Sequence, residues 1–211
     1  DVSRVTSMSG MFYDAYDFNS DISAWDVSRV ETMAEMFRGA YDFNSDISGW
    51  DVGRVTTIGS MFYGASTFSQ TLCWDVTGIY TTSMFTSSGG GSLSSYNVSG
   101  TAVYTPYAMS DSSLQTAVGD WCSNSATAED DYGHIKCWDT SAVTDMSFLF
   151  SSLGECTTYD TFNEDLSLWD VSSVTKMQEM FRSASAFNSD VSSWDVSRVE
   201  TMHGMFYHAS V

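Results

Sequence analysis

Apolar side chains in this chain recur on a frame of 25 residues. The first copy places them at Val2, Val5, Met8, Met11, Phe12, Ala15, Phe18, Ile22 and Trp25, and the second at Val27, Val30, Met33, Met36, Phe37, Ala40, Phe43, Ile47 and Trp50. Most steps are three residues, interrupted by the adjacent Met-Phe pair and one step of four. That spacing matches neither the alternation of a strand nor the sustained stripe of an amphipathic helix. It predicts a solenoid, a chain that turns inward every third residue with a short helical turn around the Met-Phe pair. One coil cannot enclose nine side chains, so neighbours must stack and pile like on like. The expected ladders are Trp25, Trp50, Trp169 and Trp194, and Phe12, Phe37, Phe62, Phe181 and Phe206.

Along the chain the pattern divides four ways. Residues 1–85 form a first repeat array, in which the third copy is one residue short before Trp74 and the fourth decays after Met84-Phe85. Residues 86–110 hold Ser87-Ser88-Gly89-Gly90-Gly91-Ser92 and the single proline, Pro106, and read as an irregular Gly/Ser-rich linker. In 111–137, Asp111-Ser112-Ser113 followed by Leu114, Ala117, Val118 and Trp121 predicts an amphipathic helix in a cap-like insert. The second array, 138–211, resumes at Trp138-Asp139 and carries six extra residues between Phe150 and Phe162. About seven coils result.

Composition narrows the partners. With 27 Asp+Glu against 8 Lys+Arg, the net charge of −19 disfavours nucleic acid and anionic membrane surfaces. At 43% hydrophobic and 15% aromatic, the chain has the apolar surface to fold, unlike a disordered acidic tail. No run of 18 apolar residues predicts a membrane span, and no basic-then-apolar leader precedes Asp1, as expected of a mature or excised segment.

Polar residues repeat with the same period. An Asp follows the tryptophan of every repeat copy, so coils about 4.8 Å apart would stack like charges. Two devices could offset the repulsion: Asx-type turns, or calcium held between coils by Asp26, Asp51, Asp170 and Asp195. A second row, Asp21, Asp46, Asp165 and Asp190, is expected on the outer surface, as are Arg4, Arg29, Arg54 and Arg198. Asn19, Asn44, Asn163 and Asn188 form a candidate ladder serving backbone groups at turns. Tyr13, Tyr63 and Tyr207 share one phase and are the better candidates for an exposed carbohydrate-binding strip.

No catalytic signature emerges: His203 and His208 fall where sister copies carry Ala34 or Gly59 and Gly39 or Gly64, and no nucleophile elbow, zinc-protease helix or phosphate loop is present. Cys73, Cys122, Cys137 and Cys156 lack zinc spacing and predict two disulfides. Three pairings are open, of which Cys122 with Cys137 and Cys73 with Cys156 is the one expected. Asn97-Val98-Ser99 is a glycosylation sequon.

The segment Trp169-Asp170-Val171-Ser172-Ser173-Val174-Thr175-Lys176-Met177, followed by Met180-Phe181 and Phe187-Asn188-Ser189-Asp190-Val191-Ser192, resembles the repeat unit of BspA-like leucine-rich-repeat surface proteins, found in mycoplasma and marine algae. Leu114-Gln115-Thr116-Ala117-Val118, Trp121-Cys122 and Tyr132-Gly133-His134-Ile135 are similar to the stretch that opens such arrays in marine algal members. The resemblance covers about 1–85 and 111–211 and leaves 86–110 unexplained. It implies a leucine-rich-repeat-like solenoid of short strands and short helical turns, secreted or on a cell surface, used in adhesion, binding or building extracellular structure. The expectation is therefore a non-catalytic structural or adhesive module that self-associates end to end into a filament. The alternative is a surface module for an extracellular protein or glycan, with calcium as its conceivable cofactor.

Overall fold

The computed structural model describes residues 1–98 and 101–209, which divide into two compact units, Asp1–Ser94 and Ser95–Val211. Numbering each copy from the Asp after its tryptophan, the copies begin at Asp1, Asp26, Asp51 and Asp75 in the first unit and at Asp139, Asp170 and Asp195 in the second.

Within each unit, main-chain hydrogen bonds lock each copy to the next. Met8, Gly10, Phe12 and Asp14 donate their N–H groups to the carbonyls of Thr32, Ala34, Met36 and Arg38 at 2.8–3.0 Å. Met33, Glu35, Phe37 and Gly39 repeat this with Thr57, Gly59, Met61 and Tyr63, and Met177, Glu179, Phe181 and Ser183 with Thr201, His203, Met205 and Tyr207. A parallel bridge at the seventh position runs from Ser7 to Thr32 and Thr57 and on to Tyr80, the sixth residue of the fourth copy, and in the second unit from Asp145 to Lys176 and Thr201. Copies twenty-five residues apart therefore touch in register.

The donors alternate along the chain because the backbone does not follow a helix. The tenth residue has left-handed φ in six copies (Gly10, Glu35, Ser60, Phe148, Glu179 and Gly204) and the fourteenth in five (Asp14, Gly39, Gly64, Ser183 and His208); in the fourth copy, one residue shorter here, the equivalent Ser83 and Ser87 are ninth and thirteenth. At Gly39 the requirement is doubled, since φ is +70° and a Cβ would collide with the Asp14 carboxylate.

Inside, rings stack. Phe12, Phe37, Phe62 and Phe85 follow one another at 5.4–5.7 Å, and Phe18, Phe43 and Phe68 form a second column at 5.8–5.9 Å. The two columns meet within a copy at 3.9 Å. Trp25, Trp50 and Trp74 stack at 6.5 Å, while Phe150, Phe181 and Phe206 stack at 5.4–5.5 Å and Trp138 on Trp169 at 6.1 Å. The indole N–H of Trp50 donates to the Ile22 carbonyl of the preceding copy, and that of Trp194 to Leu166, so the tryptophan column also ties copies together. The extra residues between Phe150 and Phe162 leave the core undisturbed, because those rings still stack at 4.1 Å.

The stretch expected to be an irregular linker is partly ordered. β1 (Thr71–Leu72) pairs in parallel with β2 (Ser92–Leu93), and β3 (Tyr96–Val98) pairs antiparallel with β4 (Thr101–Val103). Glycine explains the first pair: a Cβ on Gly89 would press on the backbone of Ser66–Phe68, and one on Gly91 on the Phe68 ring, so only glycine lets this return strand approach. The unit boundary accordingly falls after Ser94 rather than near residue 85.

The insert contains α1 (Asp111–Ser123) and α2 (Ser125–Tyr132). Ser110 and Ser113 form a capping box, and Leu114, Ala117, Val118, Trp121 and Cys122 are buried against Val143, Met146, Leu149 and Phe150 of the first coil that follows. Asp111 reaches that coil as well, accepting from the Thr144 N–H and hydroxyl at 2.7 and 2.8 Å.

Phe37 is fully buried between Phe12, Phe43 and Phe62. Phe37→Ala is expected to cost about 3–5 kcal/mol in denaturant unfolding, whereas Tyr41→Ala, half-exposed, is expected to cost about 1 kcal/mol or less.

Candidate functional site

The aspartate after the tryptophan of each repeat copy closes its own turn. Asp1, Asp26, Asp51, Asp75, Asp139, Asp170 and Asp195 each accept the backbone N–H two residues on at 2.9–3.1 Å, the Asx arrangement. At Asp26 and Asp139 the serine two residues on adds its hydroxyl at 2.6 Å. The second row does the same: Asp21, Asp46, Asp165 and Asp190 accept from Ser23, Ser48, Ser167 and Ser192 at 2.9–3.0 Å. Each regular copy therefore has two Asp-x-Ser corners. The sequence displayed this motif, but only one of its two rows was expected to make turns.

The calcium reading of Asp26, Asp51, Asp170 and Asp195 finds no support in this geometry. In each of the four one oxygen is committed to a local turn, and among the described residues no group of three or more His, Cys, Asp or Glu is placed to hold a metal ion.

Hydrogen bonding to serine lowers the carboxyl pKa of Asp26, Asp170 and Asp195 below the ordinary 3.8, and of Asp21 and Asp190 likewise. Asp165 is also lowered; burial raises it, but the Lys136 ammonium at 2.9 Å and Ser167 outweigh that. In the insert the shifts run the other way. Burial raises Glu129, and burial together with a 2.9 Å bond to Asp120 pushes the Tyr132 phenol up to about 12. Burial lowers His134, whose ring meets Trp121 edge-on at 5.2 Å.

The asparagine row acts between copies. The Asn19 side-chain oxygen accepts the N–H of Asn44 at 2.8 Å, Asn44 that of Ser69 at 2.9 Å, and Asn163 that of Asn188 at 2.7 Å. Each amide thus serves the backbone of the following coil.

The tyrosines expected to form a sugar-binding strip are partly covered. The Arg38 guanidinium lies 5.8 Å from the Tyr13 ring centre and 4.6 Å from that of Tyr63, and Arg182 lies 5.2 Å from Tyr207. Glu35 and Glu179, one helical turn earlier, pair with these arginines. Tyr16 and Tyr41, both half-exposed, stack on each other at 5.0 Å. Each of these rings has a face against a neighbouring ring or an arginine, which narrows the surface open to a sugar. Because arginine shares its phase with tyrosine, the alternation was present in the sequence but was not recognised as a stack.

The cysteine pairing differs from expectation. Cys122, in the last turn of α1, is bonded to Cys156, with Cα atoms 5.1 Å apart. The extra residues after Phe150 carry Cys156 to the helix, while Cys137 lies in the 3₁₀ turn Ile135–Cys137 before Trp138. Cys73 and Cys137 are also disulfide-bonded, and no described cysteine is free. Asn97 is exposed and its side chain donates to the Asp130 carbonyl at 3.3 Å; Ser99 of its sequon lies outside the described residues.

The geometry defines a repeat protein in which aromatic columns, asparagine rows and Asp-x-Ser corners are built from equivalent positions of successive copies. The family profile described as "Mycoplasma protein of unknown function, DUF285" matches residues 1–100 and 120–211, and the chain belongs to that family. No curated protein and no solved structure matches it. Among the described residues no helix is long and apolar enough to cross a membrane.

Since Asp21, Asp26, Asp165, Asp170, Asp190 and Asp195 titrate below their ordinary value when folded, the unfolded chain takes up protons first. Their stabilisation is complete above the ordinary range near pH 4 and is lost as pH falls through the lowered values. Melting temperature is therefore expected to drop below about pH 4. Asp170→Asn, which keeps the turn acceptor, is expected to flatten that drop with little loss at pH 7, whereas Asp170→Ala lowers melting temperature at both. Reduction of Cys122–Cys156, whose residues are 34 apart, is expected to cost about 4 kcal/mol, measured by unfolding with and without reductant.

Proposed function

We propose that the chain is a non-catalytic extracellular structural or adhesive module, a solenoid of about seven coils of the BspA-like leucine-rich-repeat kind, that extends by stacking further coils of the same pattern on its edges. One observation carries this. The carbonyls of Ser7, Ser9, Met11 and Tyr13 in the first copy accept no backbone hydrogen bond among the described residues, and the N–H groups of Met202, Gly204, Phe206 and His208 in the last copy donate none. These are the seventh to thirteenth acceptors and the eighth to fourteenth donors that join every interior pair of copies. The two open rows are complementary by position, and an unpaired edge of this kind is a template for a further coil, of the same chain or of another.

Other features support the same reading. Met11, Tyr13 and Tyr16 at one edge and Met202, Phe206 and Tyr207 at the other are 40–54% exposed, although interior methionines and phenylalanines at equivalent positions are buried. The disulfides suit an oxidising compartment. The titratable groups with shifted pKa values are engaged in turns, ion pairs and packing, and His208 occupies a left-handed position shared with Gly39 and Gly64, so its place is set by backbone shape.

Sedimentation velocity and negative-stain microscopy of the purified 211-residue chain test this. Concentration-dependent linear oligomers are expected, and Met11→Glu, which puts a charge on the exposed edge, is expected to suppress them without altering the melting temperature. Monomers at all concentrations, or oligomers indifferent to Met11→Glu, would overturn the edge-stacking function.

A further inference from the structure

The copy that starts at Asp139 departs from its sisters outside the core. Its extra residues, together with α1, enclose a cleft of about 190 Å³. Gln115 lines it from α1, Ser147, Phe148 and Leu149 from the coil, and Leu153, Gly154 and Glu155 from the extra segment.

Three observations mark this cleft as more than a packing fault. Phe148 holds a left-handed backbone, φ 65°, at the position where the other copies carry Gly, Glu or Ser, and a bulky aromatic is strained there. Leu153 is 60% exposed on a segment that is nonetheless fixed: its N–H bonds to the Ser151 hydroxyl, a Cβ on Gly154 would overlap the Phe148 carbonyl, and Cys156 is tied to Cys122. Glu155 is exposed at the rim and makes no ion pair among the described residues. The cleft therefore combines an apolar wall with an amide and a free carboxylate.

We propose that this cleft binds a lysine side chain presented by a basic segment of a partner protein. The four-methylene stem of lysine suits the wall formed by Phe148, Leu149 and Leu153. Its ammonium carries three donors and no acceptor, matching the Gln115 amide oxygen and the Glu155 carboxylate. A net charge of −19 draws such a segment toward the chain. The inference is independent of edge stacking, since none of the residues involved belongs to the two open rows.

The test is a ¹⁵N–¹H NMR titration of the intact, disulfide-bonded chain with N-acetyl-lysine methylamide. Norleucine and glycine methylamides serve as probes lacking the charge or the stem. Shifts confined to 115, 147–149 and 153–155, seen with the lysine probe alone, are the expected result. Glu155→Gln, at an exposed site, is expected to weaken binding about fivefold with the melting temperature unchanged. Leu153→Ser is expected to weaken it by a similar factor. Equal shifts from norleucine would remove the role of charge, and equal shifts from glycine methylamide that of the stem. Either result, shifts scattered over the aspartate rows, or undiminished binding in Glu155→Gln would overturn the proposal.

Discussion

Main-chain hydrogen bonding between copies is the constraint from which the remaining regularities follow. The N–H groups of positions 8, 10, 12 and 14 meet carbonyls 24 residues on, as Met8 meets Thr32 and Phe12 meets Met36. Once that register is set, equivalent side chains must lie one above another, and the cheapest interior is one in which identical shapes nest. Flat phenylalanine and tryptophan rings stack at 5.4–6.5 Å, and unbranched methionine fills the space beside them. A one-residue slip would put Met33 where Thr32 belongs and break every column at once, so the period tolerates insertions only where they leave the stack, as after Phe150.

The same register creates an electrostatic problem, since identical charges also stack. The Asp-x-Ser corners resolve it locally. Each carboxylate is held by the N–H two residues on, and often by a serine hydroxyl, which stabilises the ionised form and turns a repelling row into a row of turn-closing acceptors. Asparagine carries the corresponding task between coils without charge. Arg38 sits between two tyrosine rings and Arg182 against one, each beside a glutamate, so these two positive charges are held at fixed points of an acidic surface.

How much of this is legible in the sequence depends on whether a position is constrained by its side chain or by its backbone. Aromatic and methionine positions announce themselves because only a few residue types fill a stacked interior. The left-handed tenth position does not, because Gly10, Glu35, Ser60, Phe148 and Glu179 share a φ and nothing else. The pairing of Cys122 with Cys156 depends on where the extra residues carry the chain, which spacing alone does not encode. The β2 return strand was hidden in a Gly/Ser-rich stretch that reads as a linker, although there the glycines permit close contact with the Phe68 ring and the backbone before it. The lysine-sized cleft escaped for a related reason: its Phe148 and Glu155 are ordinary residues made unusual by local backbone shape.

Amide hydrogen exchange in the second copy tests the inter-coil hydrogen bonding most directly. Met33, Glu35, Phe37 and Gly39 donate to the next copy, whereas Thr32 and Ala34 between and beside them donate to no backbone carbonyl. Slow exchange at 33, 35, 37 and 39 with fast exchange at 32 and 34 is the result that coil-on-coil bonding requires. Uniform protection from 33 to 40, the signature of an ordinary helix, or fast exchange throughout would contradict it.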